Sequence, residues 1–150
     1  MQVQKKQFGL AYLDPSEAEE YLSKYDGHIL CVIGFGRRIA IEHAPAPIWI
    51  DIPVLGGPDT SLEVWASDAK VTACDYRNIK GTSDGNVLFG SLTLQQHPGE
   101  TLQELSRQAY TRIFEFIDHH DYRNLLRVWH YLPQINDDEN GLERYRGFNV

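Results

Sequence analysis

Residues 28–35 (HILCVIGF) form an unbroken apolar run that is rich in β-branched side chains. A strand with one face in water alternates apolar and polar side chains, whereas a continuous apolar run is typical of a strand covered on both faces. The chain is therefore expected to build a sheet in which this segment is a central strand.

Two segments carry the signals of amphipathic helices. Asp14-Pro15-Ser16-Glu17 combines a cap, a first-turn proline and a capping-box-like glutamate, and Thr101-Leu102-Gln103-Glu104 is a second capping box. The first helix is predicted to end at Gly27 and the second near His119-His120-Asp121. Apolar residues follow each start at helical spacing: Ala18, Tyr21, Leu22 and Tyr25 in the first helix, and Leu102, Leu105, Ala109, Ile113, Phe116 and Ile117 in the second.

Most of the remaining pattern predicts strands. Residues 71–80 and 86–95 are predicted strands, which the turn-forming residues 81–85 (GTSDG) join as a hairpin. Residues 39–58 contain four prolines, so strands there are expected to be short or to lie at an edge. Residues 125–132 (LLRVWHYL) predict one more strand. Residues 136–139 (NDDE) predict a third helix start, with Leu142 and Tyr145 on its inner face.

This order of elements predicts an α+β fold with mixed strand pairing, in which helices back one face of the sheet. The many apolar strand residues suggest that a second subunit covers the other face, so a homo-oligomer is expected.

Composition and charge limit the classes of partner. The 150 residues carry 14 Lys and Arg against 21 Asp and Glu, and the net charge of −7 repels polyanions such as nucleic acids. Two cysteines without a Cys-x-x-Cys spacing fit a reducing compartment. Met1 to Lys6 lack the apolar core of a signal peptide, and no run approaches the ~20 apolar residues of a membrane span. A cytoplasmic protein that contacts neither membrane nor nucleic acid is expected.

Polar, aromatic and cationic residues cluster beyond the predicted strand 125–132. The cluster ends in Arg144-Tyr145-Arg146, and arginine is the side chain that holds a carboxylate through two parallel hydrogen bonds. A small anionic ligand would suit this segment. The same spacing also suits ordinary surface ion pairs of the two arginines with Glu139 and Glu143, and both interpretations stay open.

Other polar groups carry weaker signals. His119-His120-Asp121 lacks the i, i+4 spacing of a helical two-histidine site, so no metal is predicted. His130 either faces a pocket or lies on a solvated face. Residues 34–38 (GFGRR) lack a complete phosphate-binding fingerprint, and their glycines are expected to permit a turn, although Arg37 or Arg38 could reach an anion at an adjoining subunit. No cofactor is predicted.

Residues 127–150 (RVWHYLPQINDDENGLERYRGFNV) resemble the chorismatase family, enzymes that hydrolyse the enol-ether side chain of chorismate. Residues 62–67 (LEVWAS) and 86–94 (NVLFGSLTL) are also similar to the N-terminal part of that family. Some of its members carry an older label as pteridine-dependent oxygenases. The resemblance implies a RidA/YjgF-like (chorismate-mutase-like) fold with a trimer-like arrangement, in which residues 1–120 are a RidA-like domain and residues 121–150 begin a second unit or an extension.

The resemblance also implies a reaction and a set of site residues. A carboxylic acid protonates the methylene carbon of chorismate, water attacks the oxocarbenium-like centre, and pyruvate leaves. Arg144 and Tyr145 would contact the substrate, with Tyr131, Asn136 and Arg146 as lining or supporting residues. Glu143 is the nearest local carboxylate, although its position also fits a salt-bridging surface residue.

Family members continue after this segment with a Gly-Arg pair and a long half that supplies the catalytic acid. The chain is therefore expected to be an N-terminal portion that is not catalytic alone. Two alternatives remain open at this point: a RidA-like oligomeric binding module, and a pteridine-dependent oxygenase-like protein.

Overall fold

The computed structural model describes residues 8–45, 47–52 and 55–148, which form two compact units. The first unit comprises the described residues up to Asp75 together with Lys80–Ser91, and the second comprises Tyr76–Ile79 and the described residues from Leu92 onward. The elements in chain order are β1 (Phe8–Leu13), α1 (Pro15–Lys24), β2 (Ile29–Gly36), β3 (Ile48–Ile50), β4 (Thr60–Ser67), β5 (Thr72–Ala73), β6 (Lys80–Ser83), β7 (Leu88–Ser91), α2 (Leu102–His119), β8 (Asp138–Glu139), β9 (Leu142–Glu143) and α3 (Arg144–Phe148).

A four-stranded mixed sheet organises the first unit, in the order β1-β4-β2-β3. Strand β2 runs antiparallel to β4, with Val32 opposite Val64, and parallel to the short edge strand β3. Its first six residues are buried, as a doubly covered strand requires. The structure confirms the central strand, the mixed pairing and the short strand in the proline-interrupted segment.

Helix α1 packs on this sheet and completes the core of the first unit. The Asp14 backbone N–H donates to the Glu17 carboxylate at 3.1 Å, which confirms the predicted helix start. Ala18 and Leu22 are buried against apolar side chains of β2 and β4, including the fully buried Leu62. The spacing of these residues confirms the short amphipathic helix.

The hairpin of the first unit lies later in the chain than predicted. Residues 81–83 are part of strand β6 and not of the turn, which instead begins at Asp84. One carboxylate oxygen of Asp84 accepts the backbone N–H groups of Asn86 and Val87, each at 2.8 Å, and this Asx turn reverses the chain. The prediction of one strand over residues 71–80 was wrong, because Asp75 accepts the Gly81 N–H at 3.0 Å and closes a second turn within it.

Helix α2 is the long helix of the second unit. The Thr101 hydroxyl accepts the Glu104 N–H at 3.2 Å, and the Thr101 N–H donates to the Glu104 carboxylate at 2.9 Å. This reciprocal capping box and the end at His119 confirm the predicted helix. Leu102 and Phe116 are its buried residues.

Two predictions for the second unit were wrong. Residues 125–132 form no strand, because no strand of the described residues pairs with them. Several of their apolar side chains are exposed, and Leu126 is 80% exposed. The third helix does not begin at residues 136–139, which instead enter the hairpin β8–β9, and α3 begins only at Arg144.

One mixed sheet, two small antiparallel sheets and three helices in the described residues make this an α+β fold, as predicted. No helix among the described residues is long and apolar enough to cross a bilayer. The RidA-like arrangement and the division at residue 120 stay predictions. Met1 to Lys6 and Pro53, on which two further sequence predictions depend, lie outside the described residues.

Candidate functional site

A tight hairpin brings the predicted anion-binding segment together. Asn140 and Gly141 both have positive φ, 58° and 82°, which is the geometry of a two-residue type I′ turn. The turn places Glu139, in β8, close to Arg144, the first residue of α3. The Arg144 N–H donates to the carbonyl of Asp137 at 2.9 Å, which anchors the start of α3 on the hairpin.

The guanidinium of Arg144 is held by two acceptors from different parts of the second unit. Nη1 donates to Oε1 of Glu139 at 2.7 Å, and Nη2 donates to Oε1 of Gln96 at 3.0 Å. The Arg144 side chain is only 12% exposed and that of Glu139 21%. Nε of Arg144 is buried and has no hydrogen-bond partner among the described residues.

Glu139 is the centre of this cluster. Its Oε1 also accepts Nε2 of Gln96 at 2.9 Å, and its Oε2 accepts the backbone N–H of Leu102, at the start of α2, at 2.8 Å. The Leu102 and Gln96 hydrogen bonds, together with the nearby positive charge, lower the pKa of Glu139. A charged Glu139 therefore compensates the charge of Arg144 and ties the hairpin to the long helix.

Sequence reasoning missed Gln96, which lies in the loop before α2. Its position is set by the next four residues, because its Nε2 also donates to the Glu100 carbonyl at 2.5 Å. The Glu100 N–H donates to the carbonyl of His97 at 3.0 Å across Pro98-Gly99, and Gly99 has φ of 85°. This is a type II turn with its expected Pro-Gly pair, so the turn was visible in the sequence although its contact with Arg144 was not.

The predicted site residues differ in their surroundings. The Tyr145 N–H donates to the Ile135 carbonyl at 2.9 Å, so the exposed Asn136 lies between the two carbonyl groups that anchor Arg144 and Tyr145. Tyr145 is more than half exposed. Asn136 is thus beside Arg144 and Tyr145 through backbone contacts.

Arg146 and Tyr131 differ from Arg144 in that both are exposed. The Arg146 side chain is 73% exposed, and its Nε lies 3.7 Å from the Glu143 carboxylate. Both sequence-predicted ion pairs thus form, but only the Arg144–Glu139 pair is largely buried. Tyr131 is exposed in the irregular segment before the hairpin. The roles of these residues toward a ligand stay predictions.

The histidines have aromatic neighbours. Nε2 of His130 lies 3.0 Å from the hydroxyl of Tyr110, its ring meets Phe148 edge-on, and burial lowers its pKa. The ring of His119 stacks on Tyr76 with centroids 4.0 Å apart. Within the described residues, no group of three or more His, Cys, Asp and Glu side chains is arranged to hold a metal.

Two further features lie outside the Arg144 cluster. Arg38, from the glycine-flanked pair after β2, is exposed and lies 3.3 Å from Asp51. A depression of about 470 Å³ beside the start of α2 contains none of the predicted site residues. It is lined by Gly99, Glu100, Glu104, Arg107 and Gln108.

Comparison with known proteins decides the family. A family model described as "Chorismatase FkbO/Hyg5-like, N-terminal" matches residues 63–150, which is more than half of the chain and includes the whole hairpin. The chain belongs to this chorismatase family. Neither the binding-module interpretation nor the oxygenase interpretation gains support from the comparisons.

Individual relatives agree with this assignment. The 3-hydroxybenzoate synthase of Streptomyces hygroscopicus is 31% identical over 87 residues, which are 57% of this chain and 25% of that protein. A chorismatase crystal structure has the same fold, with a TM-score of 0.72 at 22% identity over 95% of this chain and 43% of that one. The chain thus spans a quarter of the length of the curated relative and less than half of the solved structure.

Proposed function

We propose that this chain is the N-terminal portion of an enzyme that hydrolyses the enol ether of chorismate and releases pyruvate. In this proposal the chain alone binds the substrate but does not turn it over. The observation that carries the proposal is the oriented, largely buried guanidinium of Arg144 within the segment that matches the family. Arginine in such a setting is suited to a planar carboxylate.

The donors of Arg144 limit how a carboxylate would bind. A guanidinium has five N–H donors, and here Nη1 and Nη2 each already donate to an acceptor of the cluster. Nε is buried, so we propose that a substrate carboxylate reaches the guanidinium through the second N–H groups of Nη1 and Nη2, of which the cluster uses one each. Backbone hydrogen bonds bring Asn136 close to Arg144 and Tyr145, and we propose Asn136, Tyr145, Tyr131 and Arg146 as lining residues.

The hydrolysis needs a general acid, and no residue of this chain is proposed for that role. A proton must reach the methylene carbon, and water must add at the adjoining carbon and lose a proton. The bond from that carbon to the ether oxygen must then break as this oxygen takes up a proton, so that the ring keeps a hydroxyl and pyruvate leaves. The nearest local carboxylate, Glu143, is paired with Arg146, whose Nε lies 3.7 Å from it. We propose that the general acid comes from the part of the longer family members that this chain does not span.

Titration calorimetry with chorismate, together with a coupled assay for pyruvate, tests the proposal. We expect the wild-type chain to bind chorismate and to release no pyruvate above the spontaneous rate. Arg144→Lys keeps the charge but removes the planar fork, so affinity should fall about tenfold, since the lost charge-assisted hydrogen bonds are each worth roughly 1.5 kcal/mol or more.

Arg77→Lys is the matched control, because Arg77 also pairs with a glutamate, Glu115, but on an exposed surface. It should leave the affinity unchanged. Pyruvate production by the chain alone would contradict the non-catalytic assignment. A chain that does not bind chorismate would remove the substrate assignment.

We also propose a trimer-like assembly and a cytoplasmic location. Three apolar side chains on one face of the edge strand β1, Phe8, Leu10 and Tyr12, are exposed, as a surface for self-association would be. Both cysteines are free thiols, which suits a reducing compartment. Sedimentation velocity tests the assembly, and a monomer at every concentration would contradict it.

A further inference from the structure

The side-chain amide of Gln96 bridges the two charged partners of the cluster. Its oxygen accepts Nη2 of Arg144 at 3.0 Å, while its nitrogen donates to Glu139 at 2.9 Å. Because the same nitrogen also donates to the Glu100 carbonyl, both of its N–H groups have acceptors. Gln96 is therefore held by three hydrogen bonds, and only the one from Arg144 depends on that arginine.

The position of the guanidinium depends on this bridge. A contact with Glu139 alone would leave the plane of the guanidinium free to turn about one hydrogen bond. A second acceptor, on a different segment of chain, fixes the direction of Nη2 and hence the plane. The Pro98-Gly99 turn holds the loop from which Gln96 extends, so this second acceptor is itself fixed.

We propose that Gln96 is a positioning residue for substrate binding: it sets the orientation in which Arg144 presents its guanidinium to a substrate carboxylate. The inference rests on the proposed function. It adds the loop before α2 to the parts of the chain that determine substrate affinity, although Gln96 itself does not touch the substrate.

The neutral character of Gln96 suits this role. A carboxylate here would add a second negative charge beside Glu139 and would compete with an anionic ligand for Arg144. An amide supplies an acceptor for Arg144 and a donor for Glu139 without changing the net charge. The charge of Arg144 is then compensated once, by Glu139, and its orientation is set separately by Gln96.

Gln96→Ala tests the inference, and Gln95→Ala is the matched control. The two glutamines are neighbours, but Gln95 is exposed and its side chain is not among those that hold Arg144. Chorismate affinity is measured by titration calorimetry at a temperature well below the unfolding transitions of both variants. The rotation of the Arg144 guanidinium is measured by ¹⁵N NMR of arginine side chains, with Arg144→Lys used to assign the signal.

We expect Gln96→Ala to weaken chorismate binding about tenfold and to speed the rotation of the guanidinium. Gln95→Ala should change neither quantity. If Gln96→Ala binds as tightly as wild type while Arg144→Lys does not, the positioning role is overturned and the proposed function stands. A wild-type chain that does not bind chorismate overturns the proposed function, and the positioning role falls with it.

Discussion

Replacing Glu139 with alanine should destabilise the second unit more than the loss of an ordinary ion pair would. The carboxylate accepts three hydrogen bonds, from Arg144, from Gln96 and from the backbone of Leu102. Alanine would leave the largely buried charge of Arg144 without its counter-charge and the first N–H of α2 without its acceptor. The Glu139 carboxylate thus stabilises both the ion pair and the start of α2.

The expected loss in the free energy of unfolding follows from the burial of the Arg144–Glu139 pair. Removing one partner of a fully buried ion pair costs roughly 3–5 kcal/mol, whereas exposed pairs contribute about 0–1 kcal/mol. The side chains here retain 12% and 21% exposure, so an intermediate loss of about 2–3 kcal/mol is expected. For a chain of this length each kcal/mol shifts the melting temperature by roughly 2–4 °C, so a fall of roughly 5–10 °C is expected.

Glu115→Ala is the control for this experiment. It breaks the ion pair with Arg77, whose side chains are 40% and 59% exposed, and should cost less than about 1 kcal/mol. Urea unfolding followed by far-UV circular dichroism measures both variants. Hydrogen exchange gives a local measure, because the Leu102 amide should exchange faster in Glu139→Ala. Equal losses in the two variants, or an unchanged Leu102 exchange rate, would refute the reasoning.

Three further predictions concern pH, packing and thiol reactivity. Folding lowers the pKa of Glu139, so the ionised carboxylate stabilises the fold above the ordinary glutamate pKa of about 4.3. This contribution is lost as the pH falls below that value toward the lower pKa of the folded state. The difference in urea midpoint between wild type and Glu139→Gln should therefore narrow at acidic pH. Gly34→Ala would place a Cβ against the indole of Trp49, its partner across β2 and β3, and should lower the free energy of unfolding, measured by urea titration, by about 1–3 kcal/mol. Burial raises the pKa of the Cys31 thiol, so Ellman's reagent should modify the less buried Cys74 first in native protein and both equally in urea.

The features predicted well from sequence were those whose signals are local. The capping boxes at Asp14 and Thr101 start their helices in the structure because both partners of each box lie within four residues of each other. The central strand was predictable because a strand buried on both faces has one continuous apolar run of residues. The inner strand β4 was missed, although Leu62, Val64 and Ala66 alternate with more polar residues and are all buried.

The third helix was predicted wrongly although the sequence contains a local signal for a hairpin. Residues 136–139 have the composition of a helix cap, but Asn140-Gly141 directly after them is the preferred pair for a type I′ hairpin turn. Gly141 also donates its N–H to the Asp138 carboxylate at 2.7 Å, so the acidic residues serve the turn and not a helix. With the hairpin recognised, the proximity of Glu139 and Arg144 follows from the two-residue loop.

The contact of Gln96 with this hairpin could not be predicted in the same way. Gln96 contacts Glu139 and Arg144, which lie 43 and 48 positions further along the chain. Nothing in the loop sequence distinguishes Gln96 from the exposed Gln95 beside it. The difference arises because the Pro98-Gly99 turn gives Gln96 an acceptor in the Glu100 carbonyl and directs its amide toward Glu139. The sequence predicts that an arginine of the Arg-Tyr-Arg segment binds a carboxylate. The orientation of Arg144 is a property of the folded unit, since two acceptors from distant segments must meet the same guanidinium.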